Sequence, residues 1–311
     1  MKDSLELLYQ VARLYYELDM TQQDIADRFY ISRSRVSRLL QRAREEGVVE
    51  IKVNSLFRRT KSIEEAFLAR FPLLDICVVE TDTLTPQDTR NKVSKVAAQH
   101  INSLLKDNMV LGLSSGRSIY EMILEMRPDV SLPNLLAVQL LGSTASKDHN
   151  IDGPDLVRRF ANLYNCRFLY LMAPMMVHDV HTRSTLLQMP SIVETVHAGE
   201  NADIICTSIG SRASWENFAP KDKFEIEQKG AAGRICGFYF DREGNQLDTS
   251  LHDKIIGVSN NVFQKVPLRF AIVHDAEKVE ATLGALRGRY INALITDSVT
   301  AAQVLQLDKS L

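Results

Sequence analysis

The order of apolar and polar positions divides the chain into two regimes. From Ser4 to Leu18, apolar residues at Leu5, Leu8, Tyr9, Ala12 and Tyr16 recur at helical spacing, which predicts a first amphipathic helix. In "TQQD", Thr21 can cap free backbone N–H groups while Asp24 sits where the helix dipole favours an acid, so a short second helix from Gln22 to Phe29 is expected. "YIS" then turns the chain. Ser32 is a natural N-cap for a third helix with Val36, Leu39, Leu40 and Ala43 on its buried stripe and Gly47 at its C-terminal end. "VVEIKV", residues 48–53, alternates as a strand and is a candidate wing.

Beyond this segment the pattern changes. Ser62 and Glu65 form a capping-box signature before Ile63, Ala66, Phe67 and Phe71, predicting an amphipathic helix over 62–71 that bridges two domains. Apolar runs of strand length then alternate with helical stretches: "DICVVE" before 88–106, "MVLGLS" before 116–126, "LLAVQLLG" before 154–164, "RFLYLMAP" before 182–198, and "ADIICTSIG". "FAIVHD", a helix over 276–286, "INALITD" and a helix over 298–306 close the series. Such alternation predicts a parallel sheet covered on both faces, a doubly wound α/β domain whose ligands bind at the carboxyl ends of the strands. The expected organisation is a winged helix-turn-helix over 1–54, a linker and bridging helix over 55–71, and an effector domain over 72–311.

Charge sharpens the first regime. The 311-residue chain carries a net charge of -2, yet six arginines (Arg28, Arg33, Arg35, Arg38, Arg42 and Arg44) fall in one window with no acid until Glu45. At about 100° per residue, Ser34, Ser37, Arg38, Gln41 and Arg42 lie opposite Val36, with Arg35 on the flank. A solvated helix face ordinarily mixes signs, whereas this one excludes acids. A short helix, a tight turn and a helix with a serine- and arginine-rich outer face together resemble the helix-turn-helix of bacterial regulators. Arginine reads guanine edges bidentately and serine contacts bases or phosphates. The candidate residues for double-stranded DNA are Thr21, Gln22, Ser32, Arg33, Ser34, Arg35, Ser37 and Arg38, with Arg58, Arg59 and Lys61 extending the basic track. Tyr30 stands where the motif generally has glycine, a position at which a bulky residue strains the turn.

In the second regime, candidate chemistry gathers at strand ends. "GLSSGRS" places Ser114, Ser115, Gly116, Arg117 and Ser118 at a strand-to-helix turn, a combination suited to a phosphate or to sugar hydroxyls. "LLGSTASKD" offers Gly142, Ser143, Thr144 and Lys147 after another strand, and Asp297 either binds hydroxyls or caps the last helix. The spacing matches neither a P-loop nor a dinucleotide fingerprint, and no cofactor is expected. His149, His178 and His181 lack metal-ligand spacing, and Cys77, Cys166, Cys206 and Cys236 read as reduced core residues. With no signal segment or apolar span, a cytoplasmic protein that does not engage a membrane is expected.

Taken whole, the chain resembles the SorC family of bacterial transcriptional regulators. The resemblance rests on "ARLYYELDMTQQDIA", "ISRSRVSRLLQRAREEGVVEI", "GLSSGRS", "AAGRICGFYFDREG" and "EKVEATLGALRGRYINALITDSVTA". It implies a regulator of a carbohydrate-utilisation operon that senses a sugar or sugar phosphate. It further implies an effector domain similar to sugar-phosphate isomerases and glucosamine-phosphate deaminases, a sugar-binding role for Lys278, and a homo-oligomer, dimer or tetramer, on an extended operator. The chain departs from the family pattern at Arg234, where an aspartate is common, and at His274–Asp275, where two glycines are common. The competing reading is a sugar-phosphate isomerase or deaminase with an attached DNA-binding unit; Asp297, Glu277 and His274 are its candidate acid–base groups, at no compelling spacing.

Overall fold

A computed structural model describes residues 4–49, 58–144, 146–216 and 218–309 and divides the chain into two compact units, 1–56 and 57–311. In the first, α1 (Leu5–Tyr16), α2 (Gln22–Phe29) and α3 (Arg33–Glu45) surround a core of Leu8, Val11, Ala12, Ile25, Ala26, Val36, Leu39, Leu40 and Ala43. Ser4 and Ser32 cap α1 and α3, and Thr21 and Asp24 form a reciprocal capping box on α2. The stripe expected on α1 is corrected. Leu5, Tyr9 and Tyr16 are exposed, while Val11 and Leu14 are buried. Two helical stripes share Leu8 and Ala12, and packing against α2 and α3 selects the one through Val11. Most of the strand expected over 48–53 lies outside the described residues, although Val48 and Val49 pack on the helical core.

Tyr30 ends α2 in the left-handed region (φ 56°, ψ 42°), its N–H bonded to the carbonyls of Ala26 and Asp27. The turn therefore keeps a glycine-type geometry at a cost of about 1–2 kcal/mol. Because the ring is 96% exposed, no packing is disturbed.

The second unit opens with α4 (Lys61–Arg70), β1 (Asp75–Val79), α5 (Pro86–Leu104), β2 (Val110–Leu113), α6 (Arg117–Glu125) and β3 (Leu136–Gln139). It continues through α7 (Gly153–Tyr164), β4 (Arg167–Leu169), α8 (Val180–Leu186), α9 (Pro190–Glu200), β5 (Ile204–Thr207) and α10 (Pro220–Gln228). A hairpin of β6 (Gly233–Ile235) and β7 (Phe238–Phe240) precedes α11 (Asn260–Phe263), β8 (Leu268–Val273), α12 (Val279–Arg287), β9 (Ala293–Asp297) and α13 (Ser298–Lys309). Seven strands pair in parallel in the order β1-β9-β8-β5-β2-β3-β4. Alternate strand residues feed two cores. Cys77, Leu111, Cys206 and Ile272 meet Val93, Ile119, Met122, Leu156 and Phe160 on one face. Ile76, Val78, Ile205, Ala271 and Leu294 meet Phe67, Ala281, Ala301 and Val304 on the other.

Three further expectations are corrected. The segment expected as one helix over 182–198 is two, α8 and α9, because Pro190 lacks the N–H needed to continue a helix and instead starts one. The Ser62–Glu65 capping box does not form: Thr60 is the N-cap, without a side-chain bond. Nor does the Phe67–Phe71 stripe await a partner. Both rings are buried in the second unit, and α4 packs on β1 and α13. Glu64 fixes the helix there, its Oε1 accepting from the Val78 N–H at 2.8 Å and from Arg59 Nε at 2.8 Å. Arg59 also donates to the Ile76 carbonyl at 2.6 Å, so it is a structural residue of this unit; Arg58 is exposed.

Candidate functional site

On α3, burial of Val36, Leu39, Leu40 and Ala43 turns Arg33, Ser34, Arg35, Ser37, Arg38 and Gln41 to the exposed side. Ser32 is spent on the cap, its Oγ accepting from the Arg35 N–H at 3.2 Å and lying 3.0 Å from Ser34 Oγ. Arg42 is tied back to Glu46 at 2.6 Å, which leaves the N-terminal half of the helix as the open basic face. Thr21 is likewise engaged, donating to Asp24 Oδ2 at 2.7 Å. Gln22 and Arg33 line a shared groove with Tyr15, Tyr16 and Gln23.

In the second unit all strands stay parallel, but β2, β3 and β4 are added successively toward one edge of the sheet and β5, β8 and β9 toward the other, so the strand order reverses between β2 and β5. Ligand crevices open at such a reversal. The loop after β2 is locked to the loop after β5. Buried Ser114 Oγ accepts from the Ser208 N–H at 3.0 Å and from Thr207 Oγ1 at 3.2 Å. Gly116 (φ 136°) allows the approach, since a Cβ there would lie 2.8 Å from Ser208 Cβ. Gly116 is also the N-cap of α6 and offers no side-chain cap, so the first-turn N–H groups keep their capacity for an acceptor. Arg117 is exposed and stands 3.9 Å from Asp148; Ser115 is half-buried beside it.

The loop after β3 is built differently. Gly142 is buried against the Pro174 carbonyl, leaving no room for a side chain. Ser143 Oγ donates to Asp152 Oδ2, while Asp152 Oδ1 accepts from the N–H and Oγ1 of Thr144 at 2.9 and 3.0 Å. Asp152 is buried and also caps α7. A carboxylate thus occupies the hydroxyls in which the sequence suggested an anion site, and Lys147 is exposed. No spacing rule could have revealed Asp152, since its role arises only when the loop folds back on the start of α7.

At the end of β8, His274 has a fully buried side chain, with Nε2 at 3.2 Å from both Ser118 Oγ and Glu121 Oε2 and Nδ1 at 3.3 Å from Asp275 Oδ2. Asp275 also faces Lys278 at 3.5 Å and Arg90 at 3.7 Å. Burial alone would depress the imidazole pKa, but pairing with Asp275 and Glu121 outweighs it and leaves the pKa above its ordinary 6.5. The same pairing, chiefly with His274, holds Asp275 well below 3.8. A raised histidine pKa stabilises the fold fully below pH 6.5, and this contribution is lost as pH rises through the folded value. His274→Gln is therefore expected to flatten the decline of Tm between neutral and mildly alkaline pH; an unchanged profile would separate the cluster from stability. Asp297 caps α13 by accepting from the Thr300 N–H at 2.8 Å, while its buried Oδ2 has no partner among the described residues. Glu277 is exposed.

Among the described residues, no cluster of three or more His, Cys, Asp or Glu could hold a metal, and no helix is long and apolar enough to cross a membrane. A sugar-binding domain family, Sugar-bind, matches residues 56–306, and a Crp-like helix-turn-helix domain matches residues 5–60. The deoxyribonucleoside regulator of Bacillus subtilis is 28% identical over 305 residues, covering 96% of this chain and 97% of the relative. The sorbitol operon regulator of Klebsiella pneumoniae is 26% identical over 311 residues, covering 98% and 99%. The crystal structure of full-length SorC from that organism superposes with a TM-score of 0.76 at 26% identity, covering 98% of this chain and all of that one.

Proposed function

The chain belongs to the SorC family of transcriptional regulators, pairing a helix-turn-helix with a sugar-binding domain, and from that premise we propose how its residues divide the work. Ser34, Ser37, Arg35 and Arg38 read base edges from α3, while Thr21, Gln22, Ser32 and Arg33 approach the phosphate backbone. The effector is a phosphorylated sugar. Its phosphate sits on the first turn of α6, over Ser115, Gly116, Arg117 and Ser118, and its hydroxyls lie toward Gly142, Ser143, Thr144 and Lys278. The observation that carries this is the uncapped start of α6 at the strand-order reversal, next to a cation, while Asp152 makes the neighbouring loop a poor home for an anion. Lys147 contributes charge at the rim, and Asp297 serves as a cap.

One helix-turn-helix unit covers one half-site, so the regulator acts as a homo-oligomer on its operator in the cytoplasm. Binding leaves the effector chemically unchanged: His274 and Asp297 are engaged in internal contacts, which favours a sensor over an isomerase or deaminase. Incubation with sugar phosphates should give no turnover; an isomerised or deaminated product would reverse this reading.

The names of the relatives make pentose, deoxypentose and hexitol derivatives the first probes, each with and without phosphate. Saturation at 100 times Kd stabilises by about 2.7 kcal/mol, which a thermal-shift screen detects readily. Phosphorylated probes are expected to bind more tightly, and Arg117→Ala to remove about tenfold of that preference, the scale of one exposed charge-assisted contact. Equal affinity for a sugar and its phosphate would overturn the placement.

A further inference from the structure

His274 joins the end of β8 to α6, the helix proposed to hold the effector phosphate. Its Nε2 lies 3.2 Å from Ser118 Oγ and 3.2 Å from Glu121 Oε2, and these two residues sit about one turn apart on that helix. Ser118 is wholly buried, so the first turn of α6 rests on the sheet through this contact.

The groups around the ring set its charge. Glu121 faces Nε2, and Asp275 faces Nδ1 at 3.3 Å. Lys278, in the turn after β8, and Arg90, on α5, both reach Asp275, at 3.5 and 3.7 Å. On the adjoining strands, Asp297 at the end of β9 accepts from the Thr300 N–H, and β5 ends in the uncharged Thr207. Glu121 has no second cation among the described residues, and its buried Oε2 accepts no hydrogen bond there.

A neutral imidazole carries a proton on one nitrogen only, so either tautomer turns a lone pair toward one of these two carboxylates. The imidazolium has an N–H on each side and suits both. Because the side chain is fully buried, solvent does not relieve the mismatch of the neutral form. We propose that His274, as the imidazolium, positions the first turn of α6 for the effector phosphate, so that effector binding takes up a proton and weakens as pH rises. This rests on α6 as the site of that phosphate. A phosphate over Ser118 adds negative charge beside the ring and favours the cation further, which sets the sign of the linkage. Burial lowers the imidazole pKa, but pairing with Asp275 and Glu121 outweighs it, so the decline falls on the alkaline side of 6.5.

The test titrates the full-length chain with pentose, deoxypentose and hexitol phosphates and with the parent sugars at pH 7, 8 and 9. Calorimetry in two buffers of different ionisation enthalpy counts the protons exchanged. A phosphate monoester gains its second charge at about pH 6, so the charge of the probe is nearly constant over this range. Wild-type affinity for the tightest phosphate probe is expected to fall about fivefold or more from pH 7 to pH 9, with proton uptake at pH 8, one linked proton allowing at most about tenfold per pH unit. His274→Gln, uncharged throughout, should bind more weakly at pH 7 and show neither the fall nor the uptake. Glu121→Gln keeps the ring but removes one carboxylate, and should move the fall toward lower pH. A ligand-free arm follows the histidine ring protons by NMR: the resonance absent from His274→Gln should titrate above pH 6.5 in wild type and at lower pH in Glu121→Gln. The proposal is overturned if wild-type affinity is flat across the range, if His274→Gln keeps the wild-type fall, or if Glu121→Gln leaves that resonance unmoved. Equal affinity for a sugar and its phosphate at pH 7, with the His274-dependent fall retained, would instead overturn the α6 placement.

Discussion

Phe67→Ala is expected to destabilise the second unit by about 3–5 kcal/mol, the cost of emptying a fully buried aromatic site. The residue has no exposed surface and packs with Phe71 at a ring separation of 5.7 Å, inside the core that also holds Ile76, Val78, Ala301 and Val304. Urea unfolding followed by Trp215 emission reports on this unit alone, because Trp215 is the single tryptophan and lies within it. The midpoint should fall while the slope is retained. A loss below about 0.5 kcal/mol, the level of an ordinary surface change, would mean that α4 is not part of the core. The result also decides between two roles for this helix, since a bridging helix with an open apolar stripe would lose little stability on truncation.

Arg38→Ala is expected to weaken operator binding by about 1–3 kcal/mol while changing affinity for random DNA little. Arg38 lies on the exposed face of α3, opposite buried Val36, and makes a long 3.5 Å approach to the Ser34 carbonyl. Arg58, exposed at the start of the second unit, serves as the comparison: Arg58→Ala should weaken all duplex DNA alike and reduce the salt dependence, as loss of a phosphate contact does. Titrations of specific and random duplexes at two salt concentrations separate these outcomes. If both variants lose specific and random binding in equal measure, α3 is not the reading helix.

Local pattern was sufficient wherever a residue's role depends on near neighbours in the chain. Thr21, Asp24 and Ser32 act within one turn of themselves, so the starts of α2 and α3 and the polar outer face of α3 were legible. Apolar runs alternating with helices likewise implied a covered parallel sheet, because strands buried on both faces cannot show polar alternation. The same reasoning named the right residues on α4 but misjudged what they pack against: a stripe announces that a face will be buried, and says nothing of where.

The sequence by itself therefore determined the two regimes, the polar outer face of α3 and the small polar residues at the strand ends. Only the tertiary structure decided that the strand order reverses between β2 and β5, and hence that the 114–118 loop meets Ser208 rather than another strand end. It alone brought Asp152 onto Ser143 and Thr144, joined His274 to Ser118 and Glu121, and laid Arg234 over Gly210. Periodicity records the environment of one element at a time, whereas these contacts join elements distant in the chain and depend on which strands lie side by side. That choice is made by the packing of the whole sheet against its helices.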